Sequence, residues 1–229
     1  MPSISVCIAH IYPERRKNFE QIVDALHVGT RQPDEIIVWN NDDPSFNPPG
    51  CQMIHATPNP GPAARFLAAL AARSQYIFFQ GTDVAVQPQT LQYLHDALTT
   101  DSHTSFGLEG RVLQEGKPYN YHPGQGGVDG KSLCDPVHID IAMGRMDIMT
   151  RDVLVHVLPD VPLTEREDDI WLSYALNLHH IERKVLPYIP GVNGFTNLQE
   201  GGVGNATHPK HLNWRDDLCK QLFPKERGK

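Results

Sequence analysis

Carboxylates can both hold a cation and accept a proton, so the acids of this sequence are its first candidates for chemistry. Asp83 stands in a turn, Gly81-Thr82-Asp83-Val84, directly after the apolar run Tyr76-Ile77-Phe78-Phe79. A carboxylate there projects over the end of a strand, where its oxygens can bind a hard divalent cation. An aspartate that only stabilises the turn would occupy the same position. Glu167-Asp168-Asp169 precedes a helical pattern. Adjacent acids raise one another's pKa, which suits a base near neutral pH. The same acids would also favour a helix start by meeting its macrodipole, worth ~0.3–1 kcal/mol each. His208 and His211 offer imidazole nitrogens without the spacing of a zinc-binding helix. Gly201-Gly202-Val203-Gly204 could turn backbone N–H groups toward a phosphate. Gly124-Gln125-Gly126-Gly127 neither follows a strand nor keeps dinucleotide-binding spacing.

Such residues need a scaffold, and the first hundred residues alternate regularly. Residues 4–9 are a short apolar run that predicts a buried strand, and Phe19, Ile22, Val23 and Leu26 then recur at helical spacing. Residues 35–39 predict a second strand, 52–55 a weaker third and 76–79 a fourth. Pro60-Gly61-Pro62 opens a helix over 63–73, since proline fits a first turn, and Pro88 starts another carrying Leu91, Leu94 and Leu98. Apolar strands without polar alternation, each separated by a helix, predict a parallel sheet covered on both faces. Ligands of such sheets bind beyond the carboxyl ends of the strands. That rule selects His10-Ile11-Tyr12, Asn40-Asn41-Asp42 and Gln80-Gly81-Thr82-Asp83 as one site. In the second half, residues 114–136 and 191–206 have loop composition and 137–149 are strand-like. Helices are predicted from Thr150-Arg151-Asp152, over 165–178, and over about 210–223.

Composition narrows the class. The 229 residues, 40% hydrophobic and 21% charged, fit one large α/β domain or two very small ones. No stretch approaches the ~20 apolar residues of a membrane span, and Met1-Pro2-Ser3 does not begin a secretory signal. Cys7, Cys51, Cys134 and Cys219 form no CxxC, which predicts reduced thiols and a cytoplasmic setting. The net charge of −7 argues against a dedicated nucleic-acid coat, although protonating all twelve histidines would reverse its sign. Between 208 and 229, six basic side chains face only Asp216, Asp217 and Glu226, a local excess that could meet phosphates.

The order of these segments carries a resemblance. A first strand, then Ile36-Ile37-Val38-Trp39-Asn40-Asn41, Ala64-Arg65-Phe66, a strand ending in Gly81-Thr82-Asp83, and Glu167-Asp168-Asp169-Ile170 together resemble the nucleotide-sugar glycosyltransferases of the GT-A fold. The likeness runs from residue 3 to about 223. Family-2 enzymes have a similar succession. Trp39-Asn40-Asn41, Arg65-Phe66, Asp169-Ile170 and the closing His208, Arg215, Cys219 and Phe223 look closer to the exostosin-type transferase domain.

The resemblance implies a single α/β domain over 1–229, GT-A and Rossmann-like, with a mostly parallel central sheet and helices on both faces. Residues 1–100 would be its nucleotide-sugar-binding half and 101–229 its acceptor-binding and catalytic half. It implies that Ala9, His10, Tyr12, Asn40 and Asn41 hold the nucleoside and that Arg65 reaches the diphosphate. Asp83 would fill the last position of the family's Asp-x-Asp and bind Mn2+ or Mg2+ on the phosphates, with His208 a further contact. Asp168 or Asp169 would act on the acceptor proton or orient the reacting sugar. Asp140 and Arg145, within 137–145, would line the acceptor side. One departure is plain: the first acid of Asp-x-Asp is Gly81 here.

The expected activity is metal-assisted transfer of a hexosyl or pentosyl group from a nucleoside diphosphate sugar, a UDP-sugar foremost, to a hydroxyl acceptor. That acceptor is a saccharide or glycolipid headgroup or, for a chain with a basic tail, a hydroxylated base in DNA. A nucleotidyltransferase would need a glycine-rich loop after the first strand, and His10-Ile11-Tyr12-Pro13-Glu14-Arg15-Arg16 contains no glycine. A module that binds a sugar nucleotide or glycan without catalysis is the alternative that Gly81 leaves open.

Overall fold

The apolar runs of the first half pair as the sequence predicts. A computed structural model describes residues 1–10, 13–41, 43–57, 59–114, 117–119, 127–128, 132–163, 166–198 and 209–224. Its first half contains β1 (Ile4–His10), α1 (Arg16–Val28), β2 (Glu35–Asn40), β3 (Gln52–His55), α2 (Ala64–Leu70) and β4 (Tyr76–Gln80). These strands lie in the order β3-β2-β1-β4, all parallel. Side chains alternate between the two faces of a strand. Ile4, Val6, Ile8, Ile36, Val38 and Phe78 accordingly pack on Phe19, Ile22 and Leu26 of α1. Cys7, Ile37, Ile77 and Phe79 point the other way, onto Phe66, Ala68 and Ala69 of α2. Both faces are apolar because both are covered by helices.

The chain continues through β5 (Val84–Val86), α3 (Thr90–Thr100), β6 (Thr104–Gly107), β7 (Glu109–Arg111), β8 (Gly127–Val128), β9 (Val137–His138), β10 (Ile141–Ala142) and β11 (Met146–Thr150). It ends with α4 (Arg151–Val157), α5 (Asp168–Leu178), β12 (Glu182–Val185), β13 (Phe195–Asn197) and α6 (Pro209–Leu222). The central sheet has eight strands, ordered β3-β2-β1-β4-β11-β6-β12-β9. Strands β11 and β9 run against the other six, so the sheet is mostly parallel with an antiparallel strand set into it. The mostly parallel sheet expected from the sequence is thus formed, with β11 entering between β4 and β6 against both.

Smaller differences have local causes. Residues 195–197, predicted as loop, pair with β5 as β13. The predicted loop 114–136 contains β8, which pairs with β7. The helix predicted from 165 starts at Asp168, behind Glu167. Helix α4 starts where predicted, and Thr150 caps it, its hydroxyl accepting from Val153 N–H at 3.2 Å. No helix among the described residues is long and apolar enough to cross a membrane.

Candidate active site

The carboxyl ends of β1, β2 and β4 finish side by side, with His10 opposite Asn40 and Ile8 opposite Gln80. Because β11 is antiparallel, its amino end enters at this same edge, and Arg145 accepts a hydrogen bond from Gly81 N–H at 2.7 Å. Side chains from both halves of the sequence thus meet over one rim.

On the β1–β2 side the expected nucleoside contacts hold the rim together. Asn40 is buried and its amide reaches the carbonyls of Asp43 (3.3 Å) and Phe46 (3.4 Å) and Nδ1 of His55 (3.2 Å). The His10 ring, also buried, lies against Phe19 and Phe46, with centroids 5.5 and 4.7 Å away. Asn41 donates to the carbonyl of Ala56, and Ala9, half-buried, lies opposite Trp39. Tyr12 lies outside the described residues.

Beyond β4, the turn is tied to the start of α1. Arg15 Nη1 donates to Thr82 Oγ1 and Asn18 Nδ2 to the Thr82 carbonyl, both at 3.1 Å. Asp83 follows, its Oδ2 3.4 Å from Arg145 Nη1. Arg145 is anchored from behind by Glu109, whose Oε2 accepts from Nε at 2.8 Å and from Nη2. Its Nη1 also reaches Asn197 Oδ1 at 3.3 Å. Arg145, expected on the acceptor side, thus stands against Asp83.

A second group is more deeply buried. Arg65, in the first turn of α2, donates to the Gly144 carbonyl and pairs with Asp168. The guanidinium lies so close over Gly144 that any Cβ there would collide with it, which explains a glycine at that position. From α6, Arg215 pairs with Asp169 and, at 2.5 Å, with Glu167, while its guanidinium covers the Tyr119 ring at 4.5 Å. Glu167 has φ 61°, in the left-handed region, which costs a non-glycine residue ~1–2 kcal/mol.

Charge is dense here, and burial governs its titration. Burial raises the Asp168 carboxyl above the usual range, with Arg65 opposing and Asp169 adding to the rise. Burial also carries Glu167 up to about 8 against the pull of Arg215. Asp147, on β11 between Phe79 and Gly107, is buried with neither carboxylate oxygen hydrogen-bonded. Its pKa is raised well above the ordinary value by burial, Arg65 only partly offsetting this.

Asp140 is not part of this cluster; its Oδ2 accepts from Leu113 N–H at 2.7 Å and fastens the chain after β7. His208 and the glycines 201–204 lie outside the described residues, as do Gly124, Gln125 and Gly126. Of the two ligands expected for Mn2+ or Mg2+, Asp83 is among the described residues, and it faces a guanidinium. Among the described residues no three His, Cys, Asp or Glu side chains converge to hold a metal ion. The described donor set does not fit a divalent cation.

Glu109, Asp147 and the partnership of Arg215 were not singled out by motif. An acid inside an apolar run, as in Met146-Asp147-Ile148-Met149, is a usable signal, since acids are almost never fully buried without a reason.

No protein-family model matches the chain, and no curated protein matches it in sequence. Its architecture is nevertheless shared with solved structures. One is the crystal structure of GalNAc-T7 with UDP, GalNAc and Mn2+, which matches at a TM-score of 0.66 and 10% identity over 99% of this chain and 50% of that one. The chain thus spans about half the length of that protein, and the likeness establishes a GT-A, Rossmann-like fold.

Proposed function

We propose that the chain is a glycosyltransferase that moves a hexosyl or pentosyl group from a nucleoside diphosphate sugar, a UDP-sugar, to a hydroxyl acceptor. One observation carries this reading: in a fold shared with a protein crystallised with UDP and GalNAc, a single sheet edge unites Asp83 and Arg145 with the buried acids of α5. Residues 1–100 form the donor half, with Ala9, His10, Asn40 and Asn41 shaping the nucleoside rim and Asp83 lying beside the diphosphate. Residues 101–229 form the acceptor half, bounded by Asp140 and its neighbours.

In the transfer step the acceptor hydroxyl loses its proton as its oxygen bonds to the sugar carbon and the bond to the diphosphate breaks. Asp168 receives that proton; its raised pKa makes the ionised carboxyl a better base near neutral pH. Arg65 fixes the orientation of Asp168, and Asp169, fixed by Arg215, places a second negative charge beside the sugar as positive charge develops on it. Because the described residues do not provide a divalent site, no step is assigned to a metal. All four cysteines are unpaired, which supports a cytoplasmic setting.

The test is release of UDP from UDP-sugars in the presence of saccharides, glycolipid headgroups or DNA carrying a hydroxylated base. Asp168→Asn should lower turnover by on the order of 10²–10⁴-fold while donor binding persists. Turnover near wild type in Asp168→Asn, Asp169→Asn and the double variant overturns the assignment. Donor binding by the wild type with no transfer to any acceptor selects the non-catalytic module instead.

A further inference from the structure

The turn after β4 and the start of β11 show a substitution that reaches across the sheet edge. A diphosphate leaving group needs positive charge placed where its negative charge develops. The turn offers one carboxylate for a cation, and the neighbouring position, Gly81, has no side chain. A side chain there would oblige its neighbours to give way by a few tenths of an ångström. A Cβ on Gly81 would lie 3.0 Å from Asp83 Oδ1, 3.2 Å from Arg145 Cβ and 3.3 Å from Arg145 Cα. The Gly81 N–H also donates to the Arg145 carbonyl at 2.7 Å, so the Arg145 backbone cannot easily back away. The missing acid and the arginine that packs in its place belong to one arrangement.

We propose that Arg145 is the built-in cation of the donor site: its guanidinium, rather than a divalent metal, faces the leaving diphosphate, and Asp83 is the counter-ion that the phosphates displace. The proposal rests on the donor-binding reading above. The two sides of Arg145 differ in the way this role demands. Behind it, Glu109 is buried and accepts from both Nε and Nη2, fixing the plane of the guanidinium. In front, the pair with Asp83 is long, at 3.4 Å, and the Asp83 side chain is 35% exposed, so this partner can swing into water. A guanidinium matches a phosphate through two parallel N–H donors, and it keeps its charge at any working pH. Arg15, bonded to Thr82 Oγ1 at 3.1 Å, brings a second guanidinium to the turn between Gly81 and Asp83. A metal ion seated on Asp83 would instead share that carboxylate with a fixed cation 3.4 Å from it, against like-charge repulsion.

Calorimetric titration with UDP, and with ADP, GDP and CDP in parallel, tests this on the full chain in EDTA and again in Mn2+. The expected result is binding of one nucleotide with affinities that agree within about twofold in the two buffers. Arg145→Gln should weaken that binding about tenfold or more in both. Loss of Arg145 takes a guanidinium away from buried Glu109 and can impair folding, so a second variant acts at the surface. Asp83→Asn removes a competitor of the phosphates and should tighten binding about two- to fivefold, whereas loss of a metal ligand would weaken it. The pair Gly81→Asp with Arg145→Gly should convert the site to Mn2+-dependent binding. Nucleotide binding at least tenfold weaker in EDTA than in Mn2+, or lost in Asp83→Asn, overturns the proposal and leaves the donor reading standing. No binding of any nucleotide in either buffer overturns both.

Discussion

The two sides of the site are built on different principles. The rim at β1 and β2 is a by-product of apolar packing: the strands end where they do because Ile4, Val6, Ile8 and Val38 pack on α1, and polar contacts such as those of Asn40 only trim the loops. The cluster at α5, α6 and β11 adds buried ion pairs to an apolar base, in which Ile170 packs with Leu218, Cys219 and Phe223. It is held by Arg65 on Asp168 and Arg215 on Glu167 and Asp169, all well buried. Burying charges costs free energy that pairing recovers only when the geometry is good, so such a cluster is a poor stabiliser. A rim made by packing tolerates change one contact at a time. A cluster of buried charges stands or falls as a unit, and that stiffness is what a group placed against reacting atoms requires.

Three measurements probe this difference. The largest effect belongs to Arg65→Met, which leaves Asp168 buried and unpaired and should lower stability in urea unfolding by about 3–5 kcal/mol. The rim counterpart, Asn40→Ala, removes hydrogen bonds to the carbonyls of Asp43, which still accepts from Phe46 N–H, and of half-buried Phe46, and should cost about 0.5–1.5 kcal/mol. Equal losses in the two variants would break the contrast.

The smallest effect, and the one that sharpens it, is Asp147→Asn. The folded protein retains a proton on Asp147 that the unfolded chain releases near its ordinary pKa of 3.8. More protons are then bound in the folded state, so wild-type stability falls as pH rises through that value and beyond. The asparagine variant lacks this penalty and should gain on the wild type as pH rises above about 4. A stability difference between the two that stays constant over that range would show that burial does not hold the proton.

Much of the rim was legible in the sequence because it obeys hydropathy. Residues 4–9, 35–39 and 76–79 announce buried parallel strands, and the rule for strand ends then places Asn40, Asn41 and Asp83 together. The second half was less legible for two reasons. Strand β12 is Glu182-Arg183-Lys184-Val185, with no apolar run, and it is held where Arg183 donates to the carbonyls of Ser173 and Ile139. Strand β11 was visible as strand-like, but its antiparallel entry, which brings Arg145 to Asp83, depends on pairing that composition does not encode. The triplet Glu167-Asp168-Asp169 was apparent as a cluster of acids. Which arginine binds which acid was not, since Arg65 and Arg215 come from helices distant in sequence.

The packing of Arg145 on Gly81 also bears on how this chain can change over generations. A side chain gained at 81 while arginine stays at 145 crowds the turn, and a glycine gained at 145 while 81 stays glycine strips Asp83 and Glu109 of their shared partner. Each single step is a valley, and only the paired exchange reaches another stable arrangement. Among descendants of a common ancestor the two positions should therefore covary, a side chain at 81 being favoured where 145 is glycine, since a Cβ at 81 meets the Cβ and Cα of residue 145. A survey of relatives in which they vary independently would show that the chain crosses this valley freely.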